Sequence, residues 1–352
     1  MSRFFSDKYA GLTPYEPGEQ PQGQQYVKLN TNESPFATSP KAVSRAAKAA
    51  ERLQLYSDPD VRILTKKLAD KFDVEPSNVI IGNGSDEILN FAFMAFCDDN
   101  TPAIFPDVTY GFYPVFSQVN RIPYVEMELK EDCSIDTSDY FNTGGTVFIA
   151  NPNAHTGVAL TKAELEEIIQ KNPNNVVVID EAYVDFGAES CVDLIKNYDN
   201  LLVIQTMSKA RSLAGARLGY GIGCKDLIQD MNTLRNSTNP YNINAMTMAA
   251  AEGVLEDEDY TIRNCKAVME NREYTVGELR RLGFELTDSV GNFIFMKHPD
   301  IDGEYIYKAL KERGVLVRHF TKERICQYNR VTIGSREQME IFIEKLEEIA
   351  NC

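Results

Sequence analysis

The sequence predicts an α/β protein: a mainly parallel sheet with helices on both faces, followed by a smaller α+β unit. Three observations carry that prediction. Short apolar runs alternate with amphipathic segments from about residue 40 to about residue 240, the pattern of strands joined by helical crossovers. Several runs stop at clusters of polar residues, and in a parallel sheet ligands bind at the carboxyl ends of strands. Beyond residue 240 the alternation gives way to longer helical stretches with a few strand-like runs among them.

In chain order, the first thirty residues are rich in Pro, Gly, Gln and Tyr and read as an extended arm. "SPKAVSRAAKAAERL" and "DVRILTKKLADKF" read as amphipathic helices, and "NVIIGNGSDEILNFAFMAF" as strand, Gly-rich turn and helix. "PAIF", "PYVEMEL", "GTVFIAN", "NVVVIDEAY" and "NLLVIQTMS" are the following strands, with helices such as "TKAELEEIIQK" between them. A long Ala-rich helix then leads into "KAVMENREYTVGELRRLGFEL". Strand-like "NFIFMK", helix "GEYIYKALKERG", strands "VLVRHF" and "RVTIG" and a terminal helix "SREQMEIFIEKLEEIA" complete the chain. The expected organisation is an arm over residues 1–38 that contributes to the smaller domain and the substrate site, a large domain over 39–240 and a small domain over 241–352.

Composition narrows the function. At 352 residues the chain can bury a sizeable core, and 43% hydrophobic with 25% charged residues describes an ordinary globular protein. A formal charge of −16 argues against nucleic acid or an anionic membrane as the main partner. An anionic substrate therefore needs a local cationic pocket. The seven cysteines (97, 133, 191, 224, 265, 326 and 352) are scattered and form no CxxC pair, and there are three histidines. Neither a structural metal nor a disulfide framework is expected. The opening "MSRFFSDKYAGLTPYEPG" has no apolar signal-like core and no run reaches the length of a membrane span, so a cytoplasmic location is expected.

The chemistry collects at the strand ends. "VIIG" stops at Gly82-Asn83-Gly84-Ser85-Asp86-Glu87 before a helix, and a Gly-rich turn opening a helix presents free N–H groups to a phosphate. "VVVI" stops at Asp180-Glu181-Ala182-Tyr183; a carboxylate after four apolar β-formers needs a cationic or proton-donating partner. "LLVIQ" stops at Thr206-Met207-Ser208-Lys209, and Arg217 follows eight residues later among small residues. Burying a lysine is costly unless it is paired or neutralised, and a lysine with a movable pKa is the usual Schiff-base former. A phosphate cradle, a buried Asp, a Tyr, a Lys and an Arg in this order are what pyridoxal phosphate requires: the Asp keeps the pyridine nitrogen protonated and the Lys carries the aldehyde as an imine.

These motifs resemble the aminotransferases of PLP fold type I, and within them the histidinol-phosphate aminotransferases. The likeness runs through "LTPYEPG" (12–18), "KLNTNESPF" (28–36), "YSDPD" (56–60), "GNGSDEIL" (82–89), "PDVTYGFY" (106–113), "NPNAHTG" (151–157), "VIDEAYVDF" (178–186), "TMSKARSLAGARLGY" (206–220), "NPYNINA" (239–245) and "NRVTIG" (329–334). It implies a seven-stranded large-domain sheet and pyridoxal 5'-phosphate held on Lys209. The backbone around Ser85 and Asp86, with Ser208 and Arg217, would bind the cofactor phosphate, Gly84 and Thr206 would also contact the cofactor, and Tyr110 would stack on the ring. Asp180 would pair with the ring nitrogen, and Tyr183 would reach the phenolic oxygen. Tyr56 would enter the partner's phosphate site in a homodimer, while Tyr15, Asn30, Arg318 and Arg330 would bind substrate.

Two departures stand out. The family has "NPNNPTG" where this chain has Ala154 and His155, which leaves Asn153 or Asn151 to face the phenolic oxygen. Ser57 stands where "YSDPD" usually has Pro. The implied reaction is transamination between histidinol phosphate and 2-oxoglutarate, giving imidazole acetol phosphate and glutamate, with Lys209 as general base and acid. An aromatic aminotransferase and a phosphothreonine-type decarboxylase would use the same cofactor contacts. A regulatory module that has lost catalysis is disfavoured, because Lys209, Asp180, Tyr183 and Arg217 are all present and no DNA-binding extension is attached.

Overall fold

The computed structural model describes residues 2–21 and 25–350, so Cys352 lies outside the described residues. Its strands are β1 (Val27–Lys28), β2 (Val79–Gly82), β3 (Ala103–Pro106), β4 (Tyr124–Met127), β5 (Thr146–Ala150), β6 (Val177–Asp180), β7 (Leu201–Thr206), β8 (Gly219–Gly223), β9 (Glu285–Leu286), β10 (Phe293–Lys297), β11 (Val315–Leu316), β12 (Arg318–His319) and β13 (Asn329–Thr332). Its α-helices are α1 (Pro40–Ala50), α2 (Arg62–Phe72), α3 (Ser85–Phe96), α4 (Phe112–Asn120), α5 (Lys162–Lys171), α6 (Lys225–Thr238), α7 (Ala245–Leu255), α8 (Glu258–Arg281), α9 (Gly303–Glu312) and α10 (Arg336–Ala350).

A seven-stranded sheet has the order β2-β8-β7-β6-β5-β3-β4. β4, β3, β5, β6 and β7 are parallel, and β8 runs antiparallel to both of its neighbours. Side-chain alternation along the central strands builds two cores. Val147, Ile149, Val177, Ile179, Leu201 and Val203 pack with Leu64 and Leu68 of α2 and with Leu165 and Ile168 of α5. Phe148, Val178, Leu202 and Ile204 pack with Ile88 and Phe93 of α3, Phe116 of α4 and Met231 of α6. A sheet covered on both faces needs apolar residues at every position, so these runs are continuously hydrophobic. Each fully buried side chain of this size contributes about 1.5–3 kcal/mol. The same alternation puts Asp180, two residues after Val178, on the α3–α4 side.

The C-terminal elements form a four-stranded sheet, β12-β13-β10-β9, antiparallel throughout. Ile294, Met296 and Val331 of this sheet share a core with Ile306 and Leu310 of α9 and Phe342 and Leu346 of α10. β1 adds in parallel to β11, which ties the N-terminal arm to the C-terminal elements. Between the two sheets runs the segment 28–36, and its main chain is held at Asn32 by the Thr332 hydroxyl and the Asn292 amide.

Three local expectations are refined. The "GYGIG" run, not among the expected strands, is the fully buried strand β8, although glycine weakens a strand. A Cβ at Gly219 would lie 2.2 Å from the Ser85 nitrogen, so only glycine lets the two backbones approach there. "VLVRHF" is split: Val315–Leu316 pairs with β1, and Arg318–His319 pairs with β13. The Ala-rich helix after residue 240 ends at Leu255, and a new helix starts at Glu258. Asp257, in the break, accepts a 2.5 Å hydrogen bond from Ser39. Residues 245–255, expected with the C-terminal unit, pack on α1: a Cβ at Gly253 would meet the Ala42 Cα at 2.7 Å.

Candidate active site

The ends of β6 and β7 and the turn that opens α3 border a cavity of about 340 Å³, within the range of small-molecule sites, roughly 300–1,000 Å³. Ser85, Asp86, Tyr110, Asp180, Tyr183, Thr206, Ser208, Lys209 and Arg217 all line it. Residues spread over more than 130 positions of sequence are thus brought to one place.

Asp180 closes β6 with its side chain 4% exposed as a residue. One carboxylate oxygen accepts from the Tyr113 hydroxyl at 3.1 Å and the other from the Ala182 amide at 3.2 Å. Burial pushes its pKa up to about 7, against the pull of those two donors. A cation arriving in the cavity would restore its charge. Lys209, just past β7, donates to the Thr31 carbonyl at 3.2 Å and lies 5.8 Å from the Tyr183 ring centre. Burial, with the Arg330 charge adding to it, brings its amine down to about 8, so far more of it is neutral near pH 7 than of an ordinary lysine.

At the opposite end, Gly84 caps α3 with φ 82°, and a Cβ there would meet Arg217 Nη2 at 2.6 Å. The first amides of α3 and Arg217 therefore converge, as an anion requires. Asp86 occupies both neighbours: it accepts from Arg217 at 2.7 Å and from the Tyr110 hydroxyl at 2.6 Å.

Arg318 and Arg330 sit directly opposite each other on β12 and β13. Like charges in that relation are destabilising; neither arginine is in the wall of the Lys209 cavity, and Arg318 borders a neighbouring one with Glu16, His155 and Phe320. Arg330 spans the seam between the two sheets, donating to the carbonyls of Ala154 and Asn30 at 3.2 and 3.3 Å, with its Nε unpartnered. Arg318 holds the arm through the carbonyls of Glu16 and Pro17. Tyr15 stacks on Phe112 with ring centres 4.2 Å apart and lies 6.4 Å from Tyr110. Tyr56 is 85% exposed and stacks on Tyr241, away from the lining of this chain's own cavity.

The geometry departs from expectation at the asparagines. The Asn153 amide donates to the Val108 carbonyl and Thr156, and Asn151 is paired in both directions with Leu160. The turn consumes both side chains, and Ala154 is the residue that lines the cavity. Asn30 donates to the Glu19 carbonyl and holds the arm, while its neighbours Thr31 and Glu33 face the cavity. His155 packs on Phe320 with ring centres 4.6 Å apart, and burial lowers it to about 3, so it stays neutral. Tyr113, Asn32 and Glu33 were not singled out by sequence. Tyr113 had a visible signal, one helical turn past Tyr110 in "TYGFY".

A buried acid, an amine, a phenol and an anion cradle around one cavity fit pyridoxal phosphate, with Asp180 for its ring nitrogen and the α3 amides with Arg217 for its phosphate. Residues 24–346 match the family model described as "Aminotransferase class I and II". The histidinol-phosphate aminotransferase of Clostridium botulinum (strain Kyoto / Type A2) is 45% identical over 352 residues, covering 100% of this chain and 99% of the relative. That of Brachyspira hyodysenteriae (strain ATCC 49526 / WA1) is 47% identical over 351 residues, covering 99% of each. In fold, the chain is similar to the histidinol-phosphate aminotransferase of Sinorhizobium meliloti solved in complex with pyridoxal-5'-phosphate. The TM-score is 0.86 and the identity 22%, over 94% of this chain and 92% of that one.

Proposed function

The chain belongs to the class I and II aminotransferases, which work with pyridoxal 5'-phosphate, and from that premise we propose that it transfers the amino group of histidinol phosphate to 2-oxoglutarate, forming imidazole acetol phosphate and glutamate. The observation that carries the reading is the single cavity in which Lys209, Asp180, Tyr183 and Arg217 meet. The full-length likeness to enzymes named for this substrate supports the choice of amine. When bound, the cofactor supplies the electron sink that makes the amine's α-hydrogen acidic.

This chain's residues do the rest. Asp180, whose charge burial disfavours in the cofactor-free protein, would regain it opposite the protonated ring nitrogen and hold the proton there as its counter-charge. Lys209, with an amine near pKa 8, takes the α-proton as general base and returns it as general acid. Tyr183 would donate to the phenolic oxygen, and Tyr110 would cover the ring. Ser85, Ser208 and Arg217 would bind the phosphate, and Thr206 would contact the cofactor beside them. The opposed Arg318 and Arg330 bind the substrate phosphate in one half-reaction and a glutamate carboxylate in the other, since both are anions of similar reach. Tyr15 closes this end from the arm.

The same reading includes a homodimer in the cytoplasm. The support for the dimer is surface chemistry: Leu53, Leu55, Tyr56, Tyr241 and Met246 are all exposed, and Tyr56–Tyr241 stacking and a Ser57–Ile243 hydrogen bond join the two segments. The test is a set of half-reactions read by the absorbance of the bound cofactor. Histidinol phosphate and glutamate are expected to convert it rapidly to the amine form, and phenylalanine or tyrosine slowly. Faster conversion by the aromatic amino acids would make it an aromatic aminotransferase. Release of CO2 from threonine phosphate would make it a decarboxylase.

A further inference from the structure

Asn32 is 1% exposed and adopts φ 54°, in the left-handed region that Asn takes at lower cost than most residues. Its side chain joins two buried hydroxyls. Nδ2 donates to the Tyr183 hydroxyl at 3.0 Å, and Oδ1 accepts from the Thr332 hydroxyl at 3.1 Å. The Thr332 oxygen also accepts from the Asn32 backbone N–H at 2.9 Å.

These contacts have a direction. A backbone N–H only donates, so the Thr332 oxygen is an acceptor there, and its single proton goes to Asn32 Oδ1. Were the amide reversed, that proton would have no acceptor among the described residues, in a group 3% exposed. Leaving a buried donor unpaired is the costly alternative. The amide nitrogen therefore faces Tyr183, and the Tyr183 oxygen is occupied as an acceptor. Its own proton is left to point elsewhere, and Tyr183 lines the cavity.

We propose that Asn32, locked by Thr332, is a positioning residue that fixes Tyr183 as a hydrogen-bond donor toward the phenolic oxygen of the cofactor. The assignment rests on the reading in which Tyr183 meets that oxygen. It also accounts for Ala154: a methyl lines the cavity there, where the resembling family carries an asparagine. A phenol whose proton is already committed to the cavity supplies a donor without a second amide.

The test is the pH midpoint of the visible absorbance change of the bound cofactor in the holoenzyme. A donor to the phenolic oxygen favours the form with more negative charge there, which is the deprotonated one, and keeps the midpoint low. Tyr183→Phe is expected to raise it by about one pH unit, the scale of one hydrogen bond to a charged group. Asn32→Asp tolerates the same backbone conformation but accepts from both hydroxyls, draws the Tyr183 proton away, and is expected to raise the midpoint similarly. Thr332→Val unlocks the amide with no new charge and is expected to raise it in part, whereas Thr332→Ser restores the wild-type value. Because the signal comes only from bound cofactor, unfolded protein does not contribute. An unmoved midpoint in Tyr183→Phe defeats the placement of Tyr183 at the phenolic oxygen. A shift in Tyr183→Phe with Thr332→Val at the wild-type value defeats the role of Asn32, even if Asn32→Asp shifts, since a new carboxylate acts through its charge alone.

Discussion

Lys209 and Asp180 are both held away from their ordinary ionisation by burial, in opposite senses: the lowered amine is the form that reacts with an aldehyde, and the raised carboxyl needs a cation beside it to recover its charge. In cofactor-free protein the capture of pyridoxal phosphate needs the neutral amine. Its rate is expected to rise with pH through about 8 and level off above. Because the Arg330 charge contributes to that lowering, Arg330→Ala should move the midpoint upward; an unchanged midpoint would remove Arg330 from the electrostatics of Lys209. Borohydride treatment followed by peptide mapping is expected to place the label on Lys209, and Lys209→Ala should lose turnover by on the order of 10²–10⁴-fold. For Asp180 the sign runs the other way. Its folded pKa, about 7 without cofactor, exceeds the unfolded value, about 3.9. The folded state therefore binds the proton more tightly, and stability falls as pH rises from about 4 to about 7. Cofactor-free Asp180→Asn is expected to melt above wild type, with an advantage that grows over that window and is constant above it. With cofactor bound, the same variant should lose most turnover, because the ring nitrogen loses its counter-charge. A cofactor-free wild type that melts higher than Asp180→Asn at pH 8 would show that Asp180 is not under strain in the cavity.

At the scale of elements, the parallel strands were legible because a sheet buried on both faces writes itself as unbroken apolar runs. Strand ends were legible for the same reason: Asp180 and Lys209 follow "VVVI" and "LLVIQT", where apolar character stops. β8 was not, because its reason for being "GYGIG" is the backbone of Ser85, far away in sequence. Nor does a run such as "VLVRHF" state that it serves two sheets, since the partners β1 and β13 lie at opposite ends of the chain. The site followed the same rule. Residues at their own strand ends were read from sequence and line one cavity, whereas Asn32 and Tyr113, placed by contacts more than 60 residues away, were not read. The pairing of Arg318 with Arg330 is likewise a property of two strands rather than of either arginine. If one anion sits between them, Arg330→Ala should lower kcat/KM for glutamate and for histidinol phosphate alike, roughly 10- to 100-fold each. A loss confined to one substrate would separate the two anion sites.

For the molecule as a whole, a net charge of −16 has to coexist with capture of a phosphate-bearing substrate; Lys209 and Arg217 in the cavity wall, with the Arg318–Arg330 pair outside that wall, are the local cations that offset it. Tyr56 raises the remaining question of scale. It is 85% exposed, stacked on the half-exposed Tyr241, and held by Ser57 against residue 243. An aromatic so exposed yet so firmly placed fits a contact with a second copy, and C2 dimers are the commonest closed assembly. If the Tyr56 hydroxyl completes the phosphate site of the neighbouring subunit, then Tyr56 and Lys209 of one site come from different chains. Tyr56→Ala is first expected to be substantially impaired, with weakened cofactor retention. When Tyr56→Ala chains are exchanged with inactive Lys209→Ala chains, each mixed dimer contains one site with both residues intact and one with neither. Random reassortment makes about half of the dimers mixed, so roughly a quarter of all sites should regain activity. Activity that stays at the level of the parents after verified exchange would place Tyr56 in its own chain's site, and the exposed aromatic pair would then need another partner.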